Sequence, residues 1–178
     1  MQSDRELMMR VAEGRMEAFE TLVRRHQERA WRIAYHYMGD HDDAEEVAQQ
    51  AFLNILDAAE SYNPSAKFTT YLYRVIANLC IDRTRKRSPH LSDDPPEQDS
   101  PTPAPDRRMA DRERDRAIRN ALDELTDRQR MATVLRYYED LSYREIAATM
   151  DATPKAVERL LARARKALGG KLAEFAEK

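Results

Sequence analysis

An all-α fold, built as two small helical domains joined by an acidic, proline-rich linker, is the class this sequence predicts. Three observations carry that expectation. The 178-residue chain has only 4 glycines against 35% charged residues, and it is rich in Ala, Leu, Arg and Glu, a mix that favours helix throughout. Apolar residues recur at helical spacing on both sides of a single break. The break runs from Ser88 to Asp106 and reads "SPHLSDDPPEQDSPTPAPD". Proline removes helix donors there, and with Leu91 as its one large aliphatic residue the segment cannot form a core. Domains are therefore expected over 1–87 and 107–178, with 88–106 as a linker that extends to about 60 Å at roughly 3.3 Å per residue.

In the first domain Phe19, Leu22, Val23, His26, Ala30, Ile33, Ala34 and Tyr37 fall on one helical stripe. "GDHDD" follows and reads as a helix stop and then a cap. Ala44, Val47, Ala48, Ala51, Phe52, Ile55, Leu56 and Ala59 form a second stripe. After the loop "SYNPSAK", the residues Phe68, Tyr71, Leu72, Val75, Ile76 and Leu79 form a third, in a helix running to about Lys86. Short connections predict a bundle of antiparallel neighbours.

Four shorter helices are expected in the second domain. Ile118, Ala121, Leu122 and Leu125 mark the first. Thr126 with Gln129, and Ser142 with Glu145, are capping boxes for the next two, the latter with Leu141 and Ile146 placed as a hydrophobic staple. Thr153 caps a last helix that has Pro154 at its first position and Gly169 and Gly170 at its end.

Residues 143–150, a tight turn through Asp151 and Ala152, and the helix from Pro154 make a helix-turn-helix pattern. Val157, Leu161, Ala164 and Leu168 form the stripe to be buried, while Lys155, Glu158, Arg159, Ala162, Arg163 and Lys166 face outward. Arg159 is placed to donate two bonds to a guanine, and Glu158 to accept from a cytosine amine. Lys155, Arg163, Arg165 and Lys166 suit phosphates. Plain packing competes with this reading, because cations near a helix C-terminus are also favoured by the macrodipole.

A second surface lies in "KFTTYLYRVIANLCIDRTRKR". Opposite its apolar stripe stand Thr70, Tyr73, Arg74, Asn78 and Asp82, with Arg83, Arg85, Lys86 and Arg87 at the end. Rings stack on unpaired bases, Asn offers donor and acceptor, and cations hold phosphates, so the pattern suits a single strand. A solvated basic helix end, with tyrosines shielding the core, is the competing reading. The outer face of the helix over 44–59 differs: Glu46, Gln49, Gln50, Leu53 and Asp57 include no cation, which is poor for DNA and suitable for docking on a protein.

Net charge is −2, so DNA affinity must come from local patches and the free protein should bind weakly. The single Cys80 excludes an internal disulfide and suits a reducing compartment. No stretch approaches the roughly 20 apolar residues of a membrane span, and a cytoplasmic protein is expected. His26 sits on an apolar stripe, and His36, His41 and His90 are scattered without ligand spacing. Neither metal, cofactor nor enzymatic activity is expected.

Taken together, these blocks resemble the extracytoplasmic-function group of bacterial sigma factors over nearly the whole chain. "EGRMEAFETLVRRHQERAWRIAYHYMGDHDDAEEVAQQAFLNIL" is similar to the family's opening conserved region and polymerase-binding helix. "FTTYLYRVIANLCIDRTRKR" is similar to its segment for promoter melting and minus-ten recognition, and "LDELTDRQRMATVLRYYEDLSYREIAATMDATPKAVERLLARARKAL" to its minus-thirty-five-reading domain. The resemblance implies a transcription initiation factor that partners the largest and second-largest subunits of core RNA polymerase, promoter DNA and an anti-sigma factor, with no membrane insertion. It places Asp43, Glu46, Gln49, Gln50 and Leu53 on the polymerase, with Phe52 supporting them from the core. The loop Asn63 to Lys67, with Ser65, matches the minus-ten specificity loop, which captures a flipped base, and Asn78 matches the polar residue beside that pocket. Thr70, Tyr73, Arg74, Arg83, Arg85, Lys86 and Arg87 complete the minus-ten surface. Thr153 joins the outward residues of the last helix on the minus-thirty-five duplex, and the acidic linker is expected to thread the polymerase's active-site and RNA-exit path.

One departure stands out. Family recognition helices often carry a basic residue, a small polar one and an Arg after the Val, whereas here Val157 is followed by Glu158, Arg159 and Leu160. The Arg is shifted by one position, about 100° around the helix, which implies an altered minus-thirty-five preference. Two other functions fit parts of the pattern: a stand-alone helix-turn-helix regulator, and a helical adaptor that binds protein only. The linker also permits a folded-back form, hypothesised to bury both DNA surfaces.

Overall fold

The computed structural model describes residues 2–63, 67–87 and 118–169. The expected linker, Ser65, the start of the second domain at 107–117 and Gly170 lie outside the described residues. Within them the chain is helical, with no strand. The first lobe holds α1 (Asp4–Ala12), α2 (Met16–Met38), α3 (His41–Asp57), a single 3₁₀ turn (Ala59–Ser61) and α4 (Phe68–Arg87). The second holds α5 (118–123), α6 (Asp127–Tyr137), α7 (Tyr143–Thr149) and α8 (Pro154–Leu168).

Local chemistry sets most of these boundaries. Gly39 ends α2 in the left-handed conformation at φ 75° and donates its N–H to the Tyr35 carbonyl. Asp40 then caps α3 by accepting from the Asp43 N–H at 2.9 Å, so two long helices reverse direction across a minimal connection. The boxes at Thr126/Gln129 and Ser142/Glu145 are both closed reciprocally. Thr153 caps α8 with Pro154 in its first turn, as the sequence predicts. Asp151, at φ 49°, makes the turn between α7 and α8; Asp tolerates that left-handed geometry better than most residues. Helix α1 was not among the predicted elements, although Ser3 and Glu6 close a capping box that starts it.

Leu22, Ile33, Ile55, Leu72 and Ile76 in the first lobe, with Met131, Leu135, Ile146 and Leu161 in the second, are fully buried in one continuous core. Each such side chain contributes about 1.5–3 kcal/mol relative to exposure. A satellite cluster of Ala121, Leu122, Leu125, Ala164 and Leu168 ties α5 to α8. The lobes meet where α7 lies on α4 and α6 lies on α2 and α4.

That contact corrects the sequence-based stripe of α4. Phe68, Leu72 and Ile76 are buried as predicted, but so are Tyr73, Ala77 and Cys80, while Tyr71, Val75 and Leu79 stay partly exposed. Helix α4 is covered from two sides, by α2 and α3 and by α6 and α7. Its buried surface is therefore wider than a single amphipathic stripe.

Candidate nucleic-acid and protein-docking surfaces

Helix α8 buries Val157, Leu161, Ala164 and Leu168, the stripe the sequence predicts. Thr153, Lys155, Glu158, Arg159, Ala162, Arg163, Arg165 and Lys166 are all exposed. Arg165 is partly engaged already: hydrogen bonds to the side chains of Tyr143 and Tyr137 push its pKa up. The others present one acid among several cations along the outer face of the helix, which stays exposed. Such a face suits insertion into a major groove, with base edges met near the helix start and phosphates at the flanks.

The first-lobe surface is arranged differently from expectation. Tyr73, expected outward, is 3% exposed, and burial raises its hydroxyl pKa. Arg74 donates to the Ala148 carbonyl of α7 at 2.6 Å. Lys67 stands 4.0 Å from Glu145, and Arg85 4.0 Å from Asp127. Asn63, Asn78 and Lys86 are exposed, and Thr70 is partly so. The physical reason is common to these shifts: the second lobe sits on this face and offers oxygen acceptors to its cations.

Between the lobes the Glu139 side chain is fully buried. Its carboxylate receives Arg29 Nε at 2.8 Å, Arg32 Nε at 2.8 Å and Arg32 Nη2 at 3.2 Å. Tyr37 donates to Asp127 at 3.3 Å, Arg130 donates to the Tyr37 carbonyl, and the His36 and Tyr138 rings stack. These contacts join positions about a hundred residues apart, and no local pattern in the sequence announces them. The folded-back form, hypothesised above to bury both candidate DNA surfaces, thus covers the α4 face only in part and leaves the α8 face open.

Asp43 also departs from expectation, and Glu46, though exposed, has a partner on α4. Asp43 is buried and accepts Arg83 at 2.8 Å and Arg87 at 2.7 Å, with a second, short contact from Arg87. Glu46 accepts Arg83 at 2.5 Å. Residues assigned to polymerase and to DNA therefore pair with one another, because α3 and α4 pack side by side. Hydrogen bonding from Arg87, and its charge, hold the Asp43 carboxyl below the usual carboxylate range. A carboxyl with a lower pKa folded than unfolded adds stability that is complete above its unfolded value, about 3.9. That stability is lost as pH falls through the folded value. Asp43→Asn is expected to cost about 1.5–3 kcal/mol near neutrality, the range for hydrogen bonds to charged groups. The gap to the wild type should narrow as pH falls through the folded value, below the ordinary carboxylate range. Urea titrations at neutral and at acidic pH check this; a gap that does not change with pH would remove the ion pair as its cause.

Glu46, Gln49, Gln50, Leu53 and Asp57 face outward on α3 as predicted, with Phe52 buried beneath them. Leu53 is 51% exposed. It borders an open groove of about 720 Å³ between α2 and α3, floored by Phe19, Val23, Trp31 and Phe52. The rim carries Glu28, Glu45, Gln27 and Gln49. Sequence reasoning missed the α2 side of this groove. The signal was present, since Phe19, Val23, Gln27 and Trp31 recur every four residues and so share one face. Among the described residues no group of His, Cys, Asp and Glu is disposed to hold a metal, and no helix is long and apolar enough to cross a membrane.

An all-helical frame that carries a helix-turn-helix with a cation-lined outer face, and an apolar groove open on the opposite lobe, has the features of a nucleic-acid-binding protein. Two family models match the chain: Sigma-70 region 2 over residues 22–89 and Sigma-70 region 4 over residues 115–168. The sigma factor SigE of Mycolicibacterium smegmatis is 32% identical over 163 residues, covering 89% of this chain and 63% of that protein. SigW of Bacillus subtilis is 28% identical, covering 93% of this chain and 94% of SigW. The sigma-E factor of Escherichia coli is 29% identical, covering 96% and 94% respectively. The structure of CnrH with the cytosolic domain of CnrY aligns at a TM-score of 0.73 with 25% identity, over 97% of this chain and 99% of that one. That of RpoE from Bartonella quintana with the anti-sigma factor NepR aligns at 0.66 with 21% identity, over 87% of this chain and 96% of that one. The chain belongs to the extracytoplasmic-function sigma factors, the transcription initiation factors that direct RNA polymerase to promoters.

Proposed function

We propose that this sigma factor docks on core RNA polymerase through the α2–α3 groove, with Leu53 as the apolar anchor and Glu46, Gln49 and Gln50 beside it. The first lobe, within residues 1–87, reads the minus-ten element as melted single strand. Asn63, Ser65, Lys67, Thr70, Tyr73, Arg74 and Asn78 take the bases, and Arg83, Arg85, Lys86 and Arg87 the backbone. The second lobe, within 107–178, reads the minus-thirty-five duplex through α8. The observation that supports this division is the chemistry of the three surfaces. The groove is apolar with an acidic rim, the α4 face mixes rings, amides and cations, and α8 is a cation-lined helix. Duplex phosphate and groove edges suit the last, unstacked bases the second, and a protein surface the first.

The protein acts in the cytoplasm with the polymerase and performs no catalysis of its own. CnrH and the Bartonella RpoE are held in complexes with CnrY and with an anti-sigma factor, and we infer that an anti-sigma partner holds this chain as well. Two modest DNA surfaces on a tether gain affinity once polymerase fixes their separation, an effective-concentration gain that a net-acidic chain lacks alone. Run-off transcription by bacterial core polymerase on genomic fragments tests the reading. New starts sharing two upstream elements are expected; their absence, with tight duplex binding by the free protein, would point to a stand-alone regulator.

The shifted arginine of α8 gives a residue-level prediction. Glu158 and Arg159 are both exposed near the helix start, and each base contact of this kind is worth about 1–3 kcal/mol of discrimination. Binding-site selection with holoenzyme carrying Arg159→Ala or Glu158→Ala should relax one or two minus-thirty-five positions. An unchanged preference in both variants would place base reading elsewhere.

A further inference from the structure

Helix α1 carries none of the residues assigned a role above, yet its contacts lead to the segment proposed to read the minus-ten strand. Asp4, in its first turn, accepts from Arg25 Nη1 at 2.8 Å through Oδ1 and from His26 Nε2 at 2.8 Å through Oδ2. Arg25 also donates to the Gln2 carbonyl at 2.9 Å. Two neighbouring side chains of α2 thus clasp the start of α1, and Leu7, Met8 and Val11 are buried along it. The His26 ring in turn lies 5.2 Å from that of Phe68, the buried first residue of α4. Helix α1 also packs on the 3₁₀ turn Ala59–Ser61. The Tyr62 N–H closes that turn on the Ala59 carbonyl at 3.2 Å, and the Tyr62 ring lies 5.4 Å from that of Tyr71. Its hydroxyl is buried with no hydrogen-bond partner among the described residues, so packing and not a polar contact sets where the ring lies. Tyr62 and Phe68 are the two ends of one short connection. Asn63 and Lys67, both proposed to meet bases, each stand one residue inside an end.

We propose that Asp4 is a positioning residue for promoter recognition: by clasping α1 to Arg25 and His26 it fixes both ends of the connection that presents Asn63 and Lys67 to the minus-ten strand. One end is held through His26 on Phe68, the other through α1 on the turn that precedes Tyr62. Consecutive Cα atoms are about 3.8 Å apart, so a side chain one residue from an anchored ring takes its place largely from that anchor. What the clasp supplies is preorganisation, because a base-reading side chain already in place loses less freedom on binding. Asp4 itself makes no DNA contact. The base contacts rest on the function proposed above, whereas the clasp does not.

Two measurements on Asp4→Ala test this. In the free full chain, hydrogen exchange is followed at the amides of Tyr62, Thr70 and Tyr71, which bond the Ala59 and Lys67 carbonyls at the two ends. Exchange at all three should quicken several-fold, with the amides of α8 unchanged. In holoenzyme, affinity is measured for the single-stranded non-template minus-ten element of a promoter recovered by run-off transcription. The same strand is then measured with each minus-ten base removed in turn. The ratio of intact to abasic affinity should fall at least about three-fold at one position, the cost of ordering one or two side chains on binding. Lost stability alone would lower both affinities together and leave the ratio intact. Asp4→Asn, whose amide can accept from Arg25 and donate to His26, should restore most of the ratio. His26→Gln keeps a partner for Asp4 but takes the ring off Phe68, and should lower the ratio again; a full ratio there overturns the route through Phe68. Unchanged exchange at the three amides overturns the clasp. Quickened exchange with an unchanged ratio overturns the positioning role. Should run-off transcription fail, or the wild type bind intact and abasic strands equally, while exchange still responds to Asp4, the functional reading falls and the clasp stands.

Discussion

Replacing Leu53 with glutamate is expected to abolish productive docking on core polymerase while leaving the fold intact. Leu53 is 51% exposed, so its side chain adds little to folding, and a surface change of this kind stays within about 0.5 kcal/mol. On the partner the same side chain would bury its apolar surface, worth about 1.5–3 kcal/mol. The substitution also adds a carboxylate to a groove whose rim already carries Glu28 and Glu45. Loss of a central anchor of 2 kcal/mol or more weakens binding at least about 30-fold. Competition for core polymerase against the wild type measures it, with thermal unfolding as the control. Unchanged competition, with unchanged stability, would remove the groove as the docking site.

The second large effect is structural. Leu161 is 1% exposed, on the inner side of α8 and part of the core shared by both lobes. Leu161→Ala leaves a cavity and is expected to cost about 2–5 kcal/mol, a large share of the 5–15 kcal/mol typical of a whole domain, roughly. The recognition helix should loosen, and minus-thirty-five binding should fall together with stability. Arg163, exposed two residues on, separates the two contributions: Arg163→Ala should weaken DNA binding with stability almost unchanged. Urea unfolding of both variants checks this. A Leu161→Ala loss below about 1 kcal/mol would mean that α8 is not anchored through this residue.

How much of this was legible beforehand depends on the range of the forces involved. Caps, turns and stripes are local, and Gly39, Thr126, Ser142, Thr153 and the α8 stripe could be read from neighbours within four residues. Helix α1 was equally local and went unread, although Ser3 and Glu6 announce it. The outer face of α3 was legible because one periodicity defines both faces of a helix. What could not be read was pairing at long range. Asp43 and Glu46 have the residue types of a docking surface, and Arg83 and Arg87 those of a phosphate clamp. Nothing in their spacing says that α3 and α4 bring them within hydrogen-bonding distance. Tyr73 and Glu139 are the same case across the lobes. Outward position on one helix predicts exposure only while nothing else packs there, and here α6 and α7 do.

The division of labour between the two lobes is the central claim, and crosslinking from within the holoenzyme tests it most directly. A photoreactive amino acid would replace Asn78 in one preparation and Arg159 in another, on a promoter recovered by run-off transcription. The account predicts that position 78 crosslinks to the unpaired non-template strand at the minus-ten element, and only once the duplex has melted. Position 159 should crosslink to the minus-thirty-five duplex before and after melting. Crosslinks from both positions to one element, or from position 78 to intact duplex alone, would contradict it.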